Sequence, residues 1–173
     1  VNTIGLSLYL SMLKNALQKF KTNSEEDLIQ TEINFYDSSY ISDSYLPSPL
    51  ERLKVYKDIN NVESKKSLEE IKNNLEDRCG SLPIEVGNLI NNAEINLMIK
   101  NTGITKISSN SSNTSLLLST SVKKDIFEKL LALLTNDPVK YSINKDNKFN
   151  INLIEDDALA RRIFVKKLIN EII

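Results

Sequence analysis

Apolar residues recur along this chain at two periods, and the switches between those periods mark out its elements. Tyr9, Met12, Leu13, Ala16, Leu17 and Phe20 recur at spacings of three and one, which lines one face of a helix over residues 7 to 21. The polar stretch KTNSEEDLIQ leads to TEINFY, where Ile33 and Phe35 alternate with Glu32 and Asn34 as in a short, half-buried strand. DSSYISDSYLPSP is irregular, and Pro47 and Pro49 hold it extended. Ser48-Pro49-Leu50-Glu51 then reads as a capping box with proline at the first helical position. The helix it opens carries Leu50, Leu53, Tyr56 and Ile59. Ser67-Leu68-Glu69-Glu70 reads as a second capping box, and its helix carries Leu68, Ile71 and Leu75.

Gly80 falls where a helix ending at Cys79 needs a residue in the left-handed conformation, which glycine reaches without steric cost. Pro83 suits the first turn of the next helix, which carries Val86, Leu89, Ile90, Ala93 and Leu97 and stops at Gly103. The stretch RCGSLP is therefore first of all a helix–turn–helix corner. Beyond it, ITKIS and SLLLS flank SNSSNT as a hairpin, and SVKKDIFEKLLALL is a helix with Ile126, Phe127, Leu130, Leu131 and Leu134 inward. VKYSI and KFNINLI around NKDN form a second hairpin, and Asp156 or Asp157 caps a last helix. The order α-β-α-α-α-ββ-α-ββ-α is an α+β fold of helices packed with small antiparallel hairpins.

Composition removes most chemistry from that frame. A chain of 173 residues buries roughly 70% of its unfolded surface and needs no covalent staple. With 22 basic and 23 acidic residues it lacks the excess of cations that general binding to phosphate backbones requires. One cysteine and no histidine leave neither a disulfide framework nor a zinc-type ligand set, so the chain reads as intracellular and cytoplasmic. No apolar run reaches the ~18–20 residues of a membrane span. The chain opens at Val1, and is expected to be a piece of a longer protein. The spacings of a Walker loop or a Rossmann fingerprint do not occur among its four glycines. Without a nucleophile–base pair no enzyme is expected, and no cofactor or metal.

Three clusters have both a plain reading and a functional one. Cys79 has no imidazole to make its thiolate and reads as a small apolar residue rather than a nucleophile. Asp77 and Arg78 point about 100° apart on a helix, so each either anchors the corner or faces a partner. Glu155, Asp156 and Asp157 could hold a hard cation, but a helix start uses the same residues without metal. Arg161, Arg162, Lys166 and Lys167 put cations on the outer face of the last helix, either solvated or touching phosphate.

The corner and its flanks carry a family resemblance. Tyr45-Leu46-Pro47, then Arg52 and Tyr56, then Leu68-Glu69-Glu70, then Asp77-Arg78-Cys79-Gly80-Ser81-Leu82-Pro83 follow a pattern of aromatic-Ile-Pro, Arg-x3-Tyr, a Leu-Glu-Glu helix and Asp-Arg-Phe-Gly-x-Leu-Pro. That pattern resembles the C-terminal domain of bacterial transcription-repair coupling factor. The opening IGLSLYLSMLKNAL is similar to the segment leaving that family's translocase motor, with Gly5, Tyr9, Leu13 and Ala16 in register. The resemblance covers residues 1 to about 107. It implies a helix over 1–22 that leads out of a motor domain, and a regulatory domain over 23–173. ATP and magnesium would belong to the motor domains of the full-length protein, a DNA translocase that displaces stalled RNA polymerase and recruits UvrA. The implied role of this piece is a monomeric, non-catalytic clamp that packs on the protein's own N-terminal UvrB-like module, masks the UvrA-binding surface and restrains the motor. Glu70, Asn74, Asp77 and Arg78 are the implied partner-binding residues, and Arg52, Tyr56, Gly80 and Pro83 the structural motif. Two positions depart from the pattern: Cys79 replaces an aromatic, and Asn74 stands where the family often has glutamate. The alternative is an accessory module that contacts nucleic acid through the basic face of the last helix; a steep loss of affinity with salt would identify it.

Overall fold

The computed structural model describes residues 31–173. The helix expected over 7 to 21, and the segment 1–22, lie outside the described residues. From there on the elements run β1 (Glu32–Asn34), α1 (Pro49–Asn60), α2 (Lys65–Cys79), α3 (Ile84–Ile99), β2 (Ile104–Ser109), β3 (Thr114–Leu118), α4 (Lys124–Asn136), β4 (Tyr141–Ile143), β5 (Lys148–Ile151) and α5 (Ala158–Ile172). This is the expected α+β order.

The five strands form one sheet in the order β1-β2-β3-β5-β4. The two hairpins are antiparallel, as their short connections require. The first strand differs. β1 pairs parallel to β2, with Ile33 opposite Ile107, and the three helices between them form the crossover. Alternation of apolar residues reports which face a strand buries and says nothing about its direction, so the mixed sheet was not readable from TEINFY.

Two apolar clusters hold the fold. One gathers Phe35, Ile107, Leu116, Phe149 and Ile151 from the sheet and its flank with Ile126, Leu130, Val165, Leu168 and Ile169 from α4 and α5. The other joins Ile41, Leu46, Val55, Ile59, Leu68 and Leu75 around α1 and α2. α3 serves both: Val86, Leu89 and Ile90 enter the second cluster, Ile95 and Ile99 the first. The single stripe expected on this helix accounts for one of its two buried faces. A helix enclosed on both sides has no single amphipathic period.

Local signals set most boundaries. Ser48 accepts the Glu51 amide at 3.3 Å with Pro49 in the first turn, and Asp157 accepts the Leu159 amide at 3.0 Å. α2 starts earlier than expected, at Lys65, because Ser64 rather than Ser67 is its cap and takes the Ser67 amide at 3.1 Å. Pro83 is the residue before α3 rather than inside its first turn. α3 stops at Ile99, whose carbonyl accepts the Thr102 hydroxyl at 2.6 Å, short of Gly103. Leu50 is 78% exposed, because the buried face of α1 runs through Val55 and Ile59 instead. Leu131 is likewise exposed, since Ile126 and Leu130 set the inner face of α4.

Candidate interaction surface

α2 has one buried edge, Leu68 and Leu75, with Ile71 half-buried between them. Glu70, Asn74 and Asp77 stand on the opposite side at helical spacings of four and three, and all three are exposed. The structure therefore brings these three expected partner-binding residues onto one polar face. Lys66, one turn before, lies 4.0 Å from Glu70. Arg78 leaves that face: its Nη2 donates to Glu51 Oε1 at 3.1 Å and ties the end of α2 to the first turn of α1.

The corner after α2 is held from three sides. Gly80 has φ 84° and ψ −169°, and its amide donates to Glu76 O at 2.9 Å. This is an extended positive-φ conformation open almost only to glycine, rather than the left-handed helical one expected. The Tyr45 hydroxyl lies 3.2 Å from Leu75 O and 3.0 Å from Gly80 O, so one phenol serves two carbonyls at the helix end. Burial pushes the Tyr45 pKa up, and the neighbouring Cys79 and Glu76 add to the rise. Arg52 Nη1 donates to Leu46 O at 2.6 Å and Pro47 O at 2.9 Å, while the Tyr56 hydroxyl accepts the Ile41 amide at 2.6 Å. The Arg-x3-Tyr spacing thus pins the irregular 41–47 segment onto α1 from a single helix face. Cys79 packs, half-buried, against the second cluster.

The last helix corrects the sequence reading most strongly. Arg161 and Arg162 do not lie on an outer basic face; they are 4% and 1% exposed. Arg162 makes a bidentate pair with Asp37 at 2.6 and 2.7 Å, donates through Nε to Asn92 Oδ1 at 3.0 Å, and stacks 4.5 Å over the Phe35 ring. Arg161 donates to the carbonyls of Glu155, Asp156 and Phe35. Lys166 donates to Glu94 Oε2 at 2.5 Å and Asn91 Oδ1 at 2.7 Å. Only Lys167 of the four is exposed. The phosphate-contacting alternative loses the basic face on which it rested. The signal was present in the spacing: Arg161 and Arg162 stand four and three residues before Val165, in line with Leu168, Ile169 and Ile172 on the buried stripe. The acidic run before this helix is absorbed too, since Asp157 caps it and Glu155 Oε1 accepts the Asp157 amide at 3.0 Å.

Glu94 was missed by the sequence reading. Its two oxygens accept from Lys65 of α2 at 2.8 Å and Lys166 of α5 at 2.5 Å, beside a cleft of about 320 Å³ floored by Leu97 and Met98. Burial alone would raise the Glu94 pKa; the hydrogen bonds and charges of Lys166 and Lys65 outweigh it and hold the carboxyl below its usual range. Among the described residues no group of histidine, cysteine or carboxylate side chains is placed to hold a metal, and no helix is long and apolar enough to cross a membrane.

The chain is similar to known proteins over most of its length. Residues 37–129 match the family described as the TRCF domain. The chain is 36% identical to the transcription-repair-coupling factor of Escherichia coli over 115 residues, 64% of this chain and 10% of that protein. It is 28% identical to the Haemophilus influenzae factor over 99% of this chain and 15% of the relative. For the Buchnera aphidicola factor the identity is 32%, covering 97% of this chain and 22% of the relative. The chain thus spans a tenth to about a fifth of these relatives. A solved structure of the C-terminal domain of transcription-repair coupling factor superposes with a TM-score of 0.66, at 13% identity, over 83% of this chain and 94% of that one, which shows a shared fold. The chain belongs to the TRCF domain family.

Proposed function

We propose that this chain is the non-catalytic C-terminal clamp of a transcription-repair coupling factor. In this reading it packs on the UvrB-like N-terminal module of the same protein, masks the UvrA-binding surface, and restrains the ATP-driven DNA translocase until RNA polymerase is engaged. The observation that carries it is the outward face of α2. Glu70, Asn74 and Asp77 form a row of acid and amide groups on a helix whose opposite edge is already buried in the second cluster. Such a row meets an arginine-bearing surface through charge-assisted hydrogen bonds. Exposed contacts of this kind contribute about 1 kcal/mol or less each, so several together hold a clamp that a motor can still open. Asn74 offers an uncharged hydrogen bond where a carboxylate would give a stronger one, which tunes the clamp toward release.

The test reverses Glu70 and Asp77 together to lysine. The chain should keep its melting temperature and lose affinity for the UvrB-like module by at least tenfold. In the full-length protein the same change should raise ATP turnover without polymerase and increase UvrA capture. Unchanged affinity in the double variant would move the clamp to another face.

A further inference from the structure

We propose that the strap at residues 41–47, α1 and α2 form a separately cooperative unit that opens while the sheet and its helices stay folded, and that this opening withdraws the polar face of α2. Among the described residues the two apolar clusters share no buried side chain. Sixteen buried side chains build the cluster around the sheet and nine the other, three of those nine on α3. Opening the corner therefore gives up Ile41, Leu46, Val55, Ile59, Leu68 and Leu75 and leaves the larger core closed. α3 stays in place through Ile95 and Ile99.

The boundary between the two cores is polar. On α3, Asn91, Asn92 and Glu94 separate Ile90 of one cluster from Ile95 of the other. Asn91 and Glu94 take Lys166, while Asn92 takes Arg162 Nε at 3.0 Å and donates to Ser39 Oγ at 3.4 Å. Asn88 donates to Ser38 O at 2.9 Å, and Asp37 closes the seam on Arg162. Residues 37–39 thus stay with α3 and α5. Continuous apolar burial is what makes neighbouring elements melt together, and a polar layer interrupts it.

The corner is fastened mainly to itself. The Ile41 amide donates to the Tyr56 hydroxyl, Arg52 donates to Leu46 O and Pro47 O, and the Tyr45 hydroxyl donates to Leu75 O and Gly80 O. Each of these joins the strap to α1 or to the end of α2. The ion pair that crosses from α2 to Glu94 ends on Lys65, whose side chain is 72% exposed, and exposed pairs contribute little. Glu70, Asn74 and Asp77 therefore ride on the less stable unit. On the clamp reading, on which this consequence rests, the domain lets go of its partner by lifting α2 from its seat rather than by moving as one rigid body.

Amide hydrogen exchange of the chain, followed by NMR in urea below the unfolding transition, tests the two units. Amides of α1 and α2 should share one opening reaction, at least about a hundredfold less protected than amides of β2, β3 and β5 and less sensitive to urea. Ile151→Val weakens the sheet core equally in the closed and the corner-open states. It should speed exchange in the sheet about two- to tenfold and leave α1 and α2 unchanged. Ile59→Val weakens the closed state against every open one, so it should speed exchange in both units. Equal protection in the two parts, or an Ile151→Val chain in which α1 and α2 speed up as much as the sheet, would overturn the proposal. Saturating UvrB-like module should slow exchange in α1 and α2 at least about tenfold. Slowing of the sheet alone would overturn the clamp face and its withdrawal, and would leave the two-unit opening standing.

Discussion

Replacing Asp37 with alanine tests the buried seam between α5, α3 and the segment after β1. Arg162 is 1% exposed, so its guanidinium charge is left buried and without its counter-charge once the carboxylate is gone. It would retain one hydrogen bond, from Nε to Asn92 at 3.0 Å, and the Phe35 ring at 4.5 Å, while the bonds at 2.6 and 2.7 Å disappear. Removing one partner of a buried pair costs about 3–5 kcal/mol. The Asp37 side chain keeps 20% exposure, so water can follow into the vacated space and the lower end applies, about 3 kcal/mol. Against a typical total of roughly 5–15 kcal/mol that is a large fraction. At about 2–4 °C per kcal/mol for a chain of this size, Tm should fall by roughly 6–12 °C. Urea unfolding followed by far-ultraviolet circular dichroism measures it, with the m value as a check on two-state behaviour. The double variant Asp37→Ala with Arg162→Met should recover most of the loss, since an apolar replacement removes the stranded charge. A loss below about 1 kcal/mol, or a double variant no more stable than the single one, refutes a dry, charge-paired seam.

Gly80→Ala should destabilise by about 1–3 kcal/mol from backbone strain alone, because a Cβ there meets nothing within 4 Å. Gly103→Ala should cost more, since its φ is also positive, at 87°, and its Cβ would fall 2.3 Å from Val122 Cα; thermal melts that rank the two the other way would refute this. Glu94 has a lowered pKa, so its stabilisation is complete above the ordinary glutamate value of about 4.3 and is lost as pH falls through the lowered one. The stability difference between the parent and Glu94→Gln should therefore hold at neutral pH and shrink in acid; a difference constant down to pH ~3 would contradict the Lys65–Glu94–Lys166 bridge.

Local chemistry was legible in the sequence wherever one residue type answers one backbone need. Ser48 with Pro49, Asp157, and the glycine after Cys79 all sit where capping rules put them. Arg52 and Tyr56 were identifiable as a motif, but their partners Leu46 O and the Ile41 amide are backbone groups that no side-chain pattern names. What stayed hidden depends on contacts distant in sequence. β1 finds its parallel partner beyond three helices, and α3 buries Ile95 and Ile99 on a face that only a second core reveals. Arg161 and Arg162 were misassigned because charged residues default to solvent, although their spacing from Val165 placed them on the apolar stripe. On the candidate surface, exposure of Glu70, Asn74 and Asp77 follows from the helix period, whereas the diversion of Arg78 to Glu51 does not.

The bond between Arg162 and Asp37 also sets an order of assembly. It spans 125 positions, and closing a loop of that length costs about 4 kcal/mol in chain entropy beyond a constant. During synthesis α1, α2 and α3 emerge together and can collapse through contacts near in sequence, while β1 waits for β2 and the turn at Tyr36 waits for α5. Until that last helix is made, Phe35 has neither its guanidinium cover nor the Arg161 hydrogen bond to its carbonyl. A nascent chain halted before Ala158 would therefore hold a formed helical corner beside an unlatched first strand, and protease sensitivity confined to residues 31–41 would mark that stage.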